Sequence, residues 1–317
     1  MTGRTALVFS GQGSQRPGMG RAWQDTAAWS VVDRIGAAAG RDVAALLLDA
    51  DQQTLSRTDN AQLATFALEM VLIGALADAR SGVAACAGHS LGEFSALVAA
   101  GVLTMDDAAG LVAARGAAML AATGARPGTM GVVVGAGAGE VGALVDRLRG
   151  TGVEVWVANL NGPGQVVVSG TAAGVAAVEQ EAPGIGGKVV RIPVGGAFHS
   201  PLMAPAAGPL GAALAAVTPR PGNHPVVANV DAVPHDGGAD WRALLRRQLV
   251  EPVRWEESLR ALTGLGCRLV VELGPGRTLV GLAKRVIPDT PALSVAAPDG
   301  VRPLTEQVSA LSAVPTG

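Results

Sequence analysis

Ser90 stands between two glycines in "GHSLG", residues 88 to 92, immediately after the apolar run "VAAC". A serine in a G-x-S-x-G pentapeptide between a strand and a helix forms a nucleophile elbow, whose small neighbours permit a turn sharp enough to lift the hydroxyl into solvent. The N–H groups at the start of the following helix would stabilise negative charge beside Ser90 and donate to an oxyanion. The pentapeptide alone fits equally well a plain glycine turn carrying an N-cap serine. The apolar run before it and the helical pattern "SLGEFSALVAAG" after it favour the elbow.

A serine nucleophile needs a base, most often histidine. The chain has four. His89 abuts Ser90 and would point away across the turn, His224 lies in a loop entering a strand, and His235 in "VPHDGG" reads as an exposed turn residue. His199, in "VGGAFHSPLM", follows the last strand of a compact α/β unit, at a junction of the kind where clefts form. His199 is therefore the expected base. No acid completes a triad. Glu93, Asp106, Asp107, Asp146, Glu179 and Glu181 read as positions on solvated helix faces, Glu140 opens a helix, and Glu154 opens a strand. Asp231 follows a strand but lies after the histidine, out of hydrolase chain order. A Ser–His dyad is expected, its imidazole held by a main-chain carbonyl.

The elements that must position these residues alternate. "TALVF" reads as a buried strand ended by the turn "SGQGSQRPG", helical patterns run through residue 50 and over "NAQLATFALEMVLIGALADA", and "VAACA" is a second strand. Thr104 and Asp107 resemble a capping box opening "MDDAAGLVAARGAAMLAAT". This rhythm predicts a mostly parallel sheet. From Pro127 it changes to β-α-β-β-α-β over about 70 residues, the ferredoxin-like order. The α/β rhythm then resumes with "HPVVANV", a helix from Trp241, "CRLVVELGPG" and "LVGLAKRV", and the tail past Pro303 is polar and weakly patterned. The expected division is a large subdomain of residues 1–126 and 197–317 and a small one of 127–196. Gly137, Gly139 and Gly142 spell G-x-G-x-x-G, but two extra residues separate them from the strand, and Glu154 starts the next strand instead of ending it. In a chain with 44 glycines that match is cheap.

Composition sets the outer limits. At 317 residues the chain is one large domain with an insertion, or two domains. Hydrophobic residues make up 49%, yet aromatics only 3% with no tyrosine, so Ala, Val and Leu must fill the core. A formal charge of −2 gives no reason to expect nucleic acid or an anionic membrane as a partner. Cys86 and Cys267 sit in apolar runs and read as buried, reduced thiols. The apolar stretch near residue 1 is too short for a signal sequence, and Glu69 and Glu93 interrupt the best candidates for a membrane span. A cytoplasmic protein is expected.

"FSGQGSQRPGMG", "GHSLGEFSALVAAGVLTMDDA", "RG" at 115–116, "NLNGPGQVVVSG", "GAFHSPLM", "EPVRW" and "ELGPGRTLVGLAKR" together resemble the malonyl-CoA:acyl-carrier-protein transacylases, and polyketide synthase acyltransferase domains share the pattern. The resemblance runs in order from Leu7 to about Arg285. It implies an α/β-hydrolase-like core holding a ferredoxin-like insertion, with the active site between them. It further implies Ser90 as the acylated residue, His199 as general base, and Gln248 as the donor of the orienting carbonyl. The backbone N–H groups of Gln12 and Leu91 would form the oxyanion hole. Arg115 would grip the malonyl carboxylate, and Phe198 would narrow the pocket around the α-carbon. No cofactor or metal is implied; the partners are malonyl-CoA, or another acyl thioester, and an acyl carrier protein.

The sequence departs from the family where a glutamine in a T-Q-P-A-like motif is replaced by "TDNAQLAT"; with a one-residue gap, Asn60 or Gln62 could assume its substrate-facing role, a change that bears on acyl preference and not on the chemistry. A trans-acting polyketide-pathway acyltransferase, an editing hydrolase and a non-catalytic carrier-binding module are the rival functions. Arg115 disfavours the hydrolase, since strays to be edited usually lack a carboxylate. Ser90, His199 and Arg115 together disfavour the binding module.

Overall fold

The computed structural model of the protein describes residues 5–76 and 82–313. Strand β1 (Thr5–Phe9) is followed by helices α1 (Val31–Ala39), α2 (Val43–Leu48), α3 (Gln52–Ser56) and α4 (Thr58–Ala75). Strand β2 (Val83–Gly88) leads into α5 (Gly92–Ala99) and α6 (Met105–Ala125). Next come β3 (Thr129–Val134), α7 (Ala138–Gly150), β4 (Val155–Gly162), β5 (Gln165–Gly170), α8 (Ala172–Glu181) and β6 (Lys188–Ile192). The chain then continues through α9 (Ala207–Ala215), β7 (Val226–Val227), β8 (Pro234–His235), α10 (Trp241–Gln248) and α11 (Trp255–Gly264). It ends with β9 (Leu269–Leu273), α12 (Thr278–Val286), β10 (Ala292–Val295) and α13 (Val301–Ala313). The final residues of the second helical pattern, 77–79, lie outside the described residues.

Six strands form one sheet in the order β10-β9-β1-β2-β7-β8, parallel except for the β7–β8 pair. β1, β2 and β9 are buried at every position because helices cover both faces, which is why they read as apolar runs, with the buried Glu272 of β9 as the charged exception. A separate four-stranded antiparallel sheet has the order β4-β5-β3-β6, the ferredoxin-like arrangement expected from the β-α-β-β-α-β rhythm. The glycine fingerprint at 137–142 falls here, after a strand whose two neighbours both run antiparallel to it, so it belongs to no parallel βαβ unit.

Three sequence expectations change. "HPVVANV" is strand only over Val226–Val227, since Asn229 leaves the sheet to serve the elbow. The tail past Pro303 continues a helix, and Leu304 and Val308 are buried. α6 is long and apolar enough to cross a membrane by length and composition, contrary to the expectation that no segment is, yet half of its apolar stretch is buried inside the fold. It packs against α4, α1 and α9 and carries a buried arginine, as a core helix does. Its N-terminus has the expected cap: Thr104 Oγ1 accepts the Asp107 N–H at 3.0 Å.

Backbone bonds hold the four-stranded sheet beside the six-stranded one through the segment between α10 and α11. Leu160 N–H donates to Val253 O at 2.8 Å and Val253 N–H to Ala158 O at 2.9 Å, so the "EPVRW" segment pairs in parallel with β4. The space between them is a cavity of about 240 Å³.

Candidate active site

Ser90 occupies the two-residue gap between the end of β2 and the cap of α5, with φ of 54°. A left-handed serine is strained, and such residues persist only where the surroundings over-determine them. Here a Cβ on Gly88 would lie 1.9 Å from the Gly92 carbonyl group, and one on Gly92 would lie 2.2 Å from Phe9 O. The elbow can therefore close only between glycines. Ser90 N–H donates to Asn229 Oδ1 at 2.7 Å, and Asn229 Nδ2 donates to Gly88 O at 2.6 Å, so one buried amide clamps both sides of the turn.

Ser90 Oγ lies 2.7 Å from His199 Nε2, and His199 Nδ1 lies 2.7 Å from Gln248 O. A carbonyl only accepts, so Nδ1 carries the proton and Nε2 presents its lone pair to the hydroxyl. His199 has φ of 57°, a second strained residue facing the first. Burial, reinforced by Arg115, pulls its imidazole down to about 3, leaving it neutral at physiological pH.

Arg115, which on sequence alone could lie on a helix surface, is 1% exposed. Its guanidinium donates to Gln62 Oε1 at 2.6 Å, Gln248 Oε1 at 2.9 Å and Ser90 Oγ at 3.1 Å, and stacks near Phe94. Burial brings it down to about 10, still cationic at neutral pH. Its buried Nε–H has no protein acceptor among the described residues. Ser90, His199, Arg115, Phe198, Gln12 and Leu91 all line the cavity. The amides of Gln12 and Leu91 make no hydrogen bond among the described residues, leaving them available to an oxyanion.

Asn60 is not at this site. It is buried elsewhere, with Oδ1 accepting from Arg41 at 2.5 Å and Nδ2 donating to Thr54 O at 2.9 Å. Two positions further along α4, the opposite face of the helix brings Gln62 to Arg115 and to the cavity wall. Glu93 is not on a solvated face either: it is 1% exposed and accepts from Asn229 N–H at 2.7 Å and Gln248 Nε2 at 2.5 Å. Burial raises its carboxyl to about 8. Asp231, the leftover acid, pairs with His235 at 3.0 Å, and His89 turns to Asn161 and the edge of Trp255. Sequence reasoning missed Asn229 and the side chain of Gln248. Asn229 carried one signal, a polar residue inside the apolar run "PVVANV"; the Gln248 side chain, after two arginines, carried none.

Residues 6–297 match the acyl transferase domain family. The chain is 37% identical over 301 residues to the malonyl CoA-acyl carrier protein transacylase of Bacillus subtilis strain 168, covering 94% of this chain and 95% of that protein. The corresponding Escherichia coli K12 protein is 35% identical over 289 residues, covering 89% and 92%. Among solved structures, the malonyl-CoA:acyl carrier protein transacylase of Xanthomonas oryzae superposes with a TM-score of 0.90 at 37% identity, over 96% of this chain and 98% of that one. A malonyl-transacylase in complex with its type II polyketide acyl carrier protein gives a TM-score of 0.89 at 31% identity, over 96% and 99%.

Proposed function

We propose a mechanism from the premise that this chain belongs to the malonyl-CoA:acyl-carrier-protein transacylase family: Ser90 carries a malonyl group from coenzyme A to a carrier-protein thiol, in fatty acid or polyketide synthesis. His199 Nε2 takes the Ser90 proton as Oγ attacks the thioester carbonyl. The oxyanion forms against the amides of Gln12 and Leu91. Collapse breaks the C–S bond, and the departing sulfur takes the proton from His199, leaving malonyl-Ser90 and coenzyme A. The phosphopantetheine thiol of the carrier then gives its proton to His199, attacks the ester and regenerates the serine.

The observation that carries the choice of acyl group is Arg115, a buried cation 3.1 Å from the nucleophile and open to the same cavity. Its planar fork suits a carboxylate, and burial leaves it short of a partner. Phe198, 7% exposed on the cavity wall, would crowd a substituent on the α-carbon. Such pockets discriminate one methyl group by only about 1–3 kcal/mol. We also take residues 127–196 as a unit inserted into a large subdomain of 1–126 and 197–317, since β3 to β6 fall inside those limits. Cys86 and Cys267 are buried and carry no disulfide, which agrees with a cytoplasmic setting.

Intact-mass measurement after mixing with malonyl-, methylmalonyl- and acetyl-CoA, with and without holo carrier protein, tests this reading. A malonyl adduct is expected that is absent in Ser90→Ala and passes to the carrier. Rapid loss of the adduct to water without carrier would point to a hydrolase instead.

A further inference from the structure

Arg115 is not the only buried charge at the elbow. Glu93, three residues after Ser90 and in the first turn of α5, shares it through one amide: Gln248 Nε2 donates to Glu93 Oε2, while Gln248 Oε1 accepts from Arg115. The same Nε2 also donates to Ser90 O at 2.8 Å. The charged groups that bear on Glu93 are Arg115 from α6, which favours its anion, and Asp231 from the turn after β7, which opposes it; Asn229 and Gln248 face it as neutral donors. When Glu93 is ionised, one buried anion compensates one buried cation. A malonyl carboxylate arriving at Arg115 then makes two anions for one guanidinium, with Glu93 and Arg115 both buried, where like charges repel strongly.

We propose that Glu93 tunes the selectivity for carboxylate-bearing acyl groups: acting through Gln248 as the counter-charge of Arg115, its ionised form weakens the grip on such a group, and that form takes a proton from solvent when one loads. This rests on Arg115 receiving the malonyl carboxylate. Glu93 touches no substrate and is a positioning residue. Its consequence is a malonyl ester held loosely enough to be handed on to the carrier thiol. Burial raises the Glu93 carboxyl to about 8, which puts the exchange within reach of ordinary assay pH.

The test is the half-saturation concentration for loading Ser90, measured by rapid quench and intact mass with malonyl-CoA and acetyl-CoA from pH 6.5 to 9, in the wild type and in Glu93→Gln. The malonyl value is expected to rise about fivefold by pH 9, toward the tenfold limit of a one-unit shift in a coupled carboxyl, while the acetyl value stays level. In Glu93→Gln the malonyl value should be flat and close to the wild-type value at low pH. A rise that persists in Glu93→Gln would assign the titration to Arg115 itself and overturn the proposal. If Glu93→Gln does not fold, the wild-type malonyl-to-acetyl ratio decides, and a ratio constant with pH overturns it. A malonyl preference indifferent to pH and to Glu93→Gln removes this inference alone. Equal loading of both groups at every pH, unchanged in Arg115→Ala, removes the underlying reading with it.

Discussion

Because Gln248 O can only accept, His199 is fixed in the tautomer that turns a lone pair toward Ser90, and no carboxylate is needed to hold it there. Backbone hydrogen bonds at Gln248 and Glu251 favour its charged form, but burial, reinforced by Arg115, outweighs them and pulls it from 6.5 to about 3. Single-turnover loading of Ser90 should therefore change less than about twofold between pH 5 and 7; a sigmoidal fall centred near 6.5 would show an exposed, ordinary histidine. Arg115 supports a second prediction. Arg115→Ala should lower malonyl loading relative to acetyl loading by about 10- to 100-fold, the equivalent of roughly 1.5–3 kcal/mol for a charge-assisted hydrogen bond. Arg115→Lys, keeping the charge without the fork, should recover only part of that preference, as read from adduct ratios in a mixed-substrate competition. At this scale the sequence showed the nucleophile plainly, because an elbow announces itself by its glycines. It did not show that Glu93 lies buried, since a lone acid in an apolar helix looks alike whether it meets solvent or an amide.

Helix α5 can begin against the end of β1 only because nothing projects from Gly92 toward Phe9 O. The parallel pairing of β1 and β2 at the centre of the sheet sets the Gln12 turn and the Ser90 turn side by side at its C-terminal end. Gly92→Ala puts a methyl group 2.2 Å from Phe9 O, which is backbone and cannot yield as a side chain would. It should lower stability by roughly 3 kcal/mol or more, in the range of severe overpacking, and abolish Ser90 loading in whatever protein folds. Gly208→Ala, in α9 with open space around it, serves as the comparison and should be neutral or slightly stabilising in urea denaturation. Elements were the most legible level of this chain: buried strands read as apolar runs, and the switch to β-α-β-β-α-β marked the second sheet. What failed was facing. α4 is buried along nearly its whole length, so no polar side tells Asn60 from Gln62, and only the packing of α6 against it selects Gln62.

Across the whole molecule the buried ionisable groups pull stability in opposite directions with pH. His199, at about 3 in the fold against 6.5 when unfolded, contributes stability that is complete above 6.5 and lost as pH falls toward 3. Glu93, at about 8 against 4.5, contributes stability that is complete below 4.5 and lost as pH rises through 8. Glu69 adds to the second group. It is fully buried in α4, hydrogen-bonded by Ser95 Oγ at 2.5 Å, and raised well above the usual carboxylate range by burial, with the nearby Glu272 adding to the shift. Each carboxyl that keeps its proton only in the folded state tilts stability downward by up to about 1.4 kcal/mol per pH unit. Above pH 6.5 the histidine no longer offsets that slope, so the fold should be most stable in mildly acidic solution and weaken from pH 6.5 to 8. Glu69→Gln removes one titrating carboxyl while leaving an acceptor for Ser95. Its thermal midpoint should fall less steeply than the wild type's over that interval, with the two curves diverging as pH rises. Parallel curves would mean that Glu69 is ionised in the fold, and a wild-type midpoint rising with pH would mean that the buried acids are compensated by cations the packing does not place beside them.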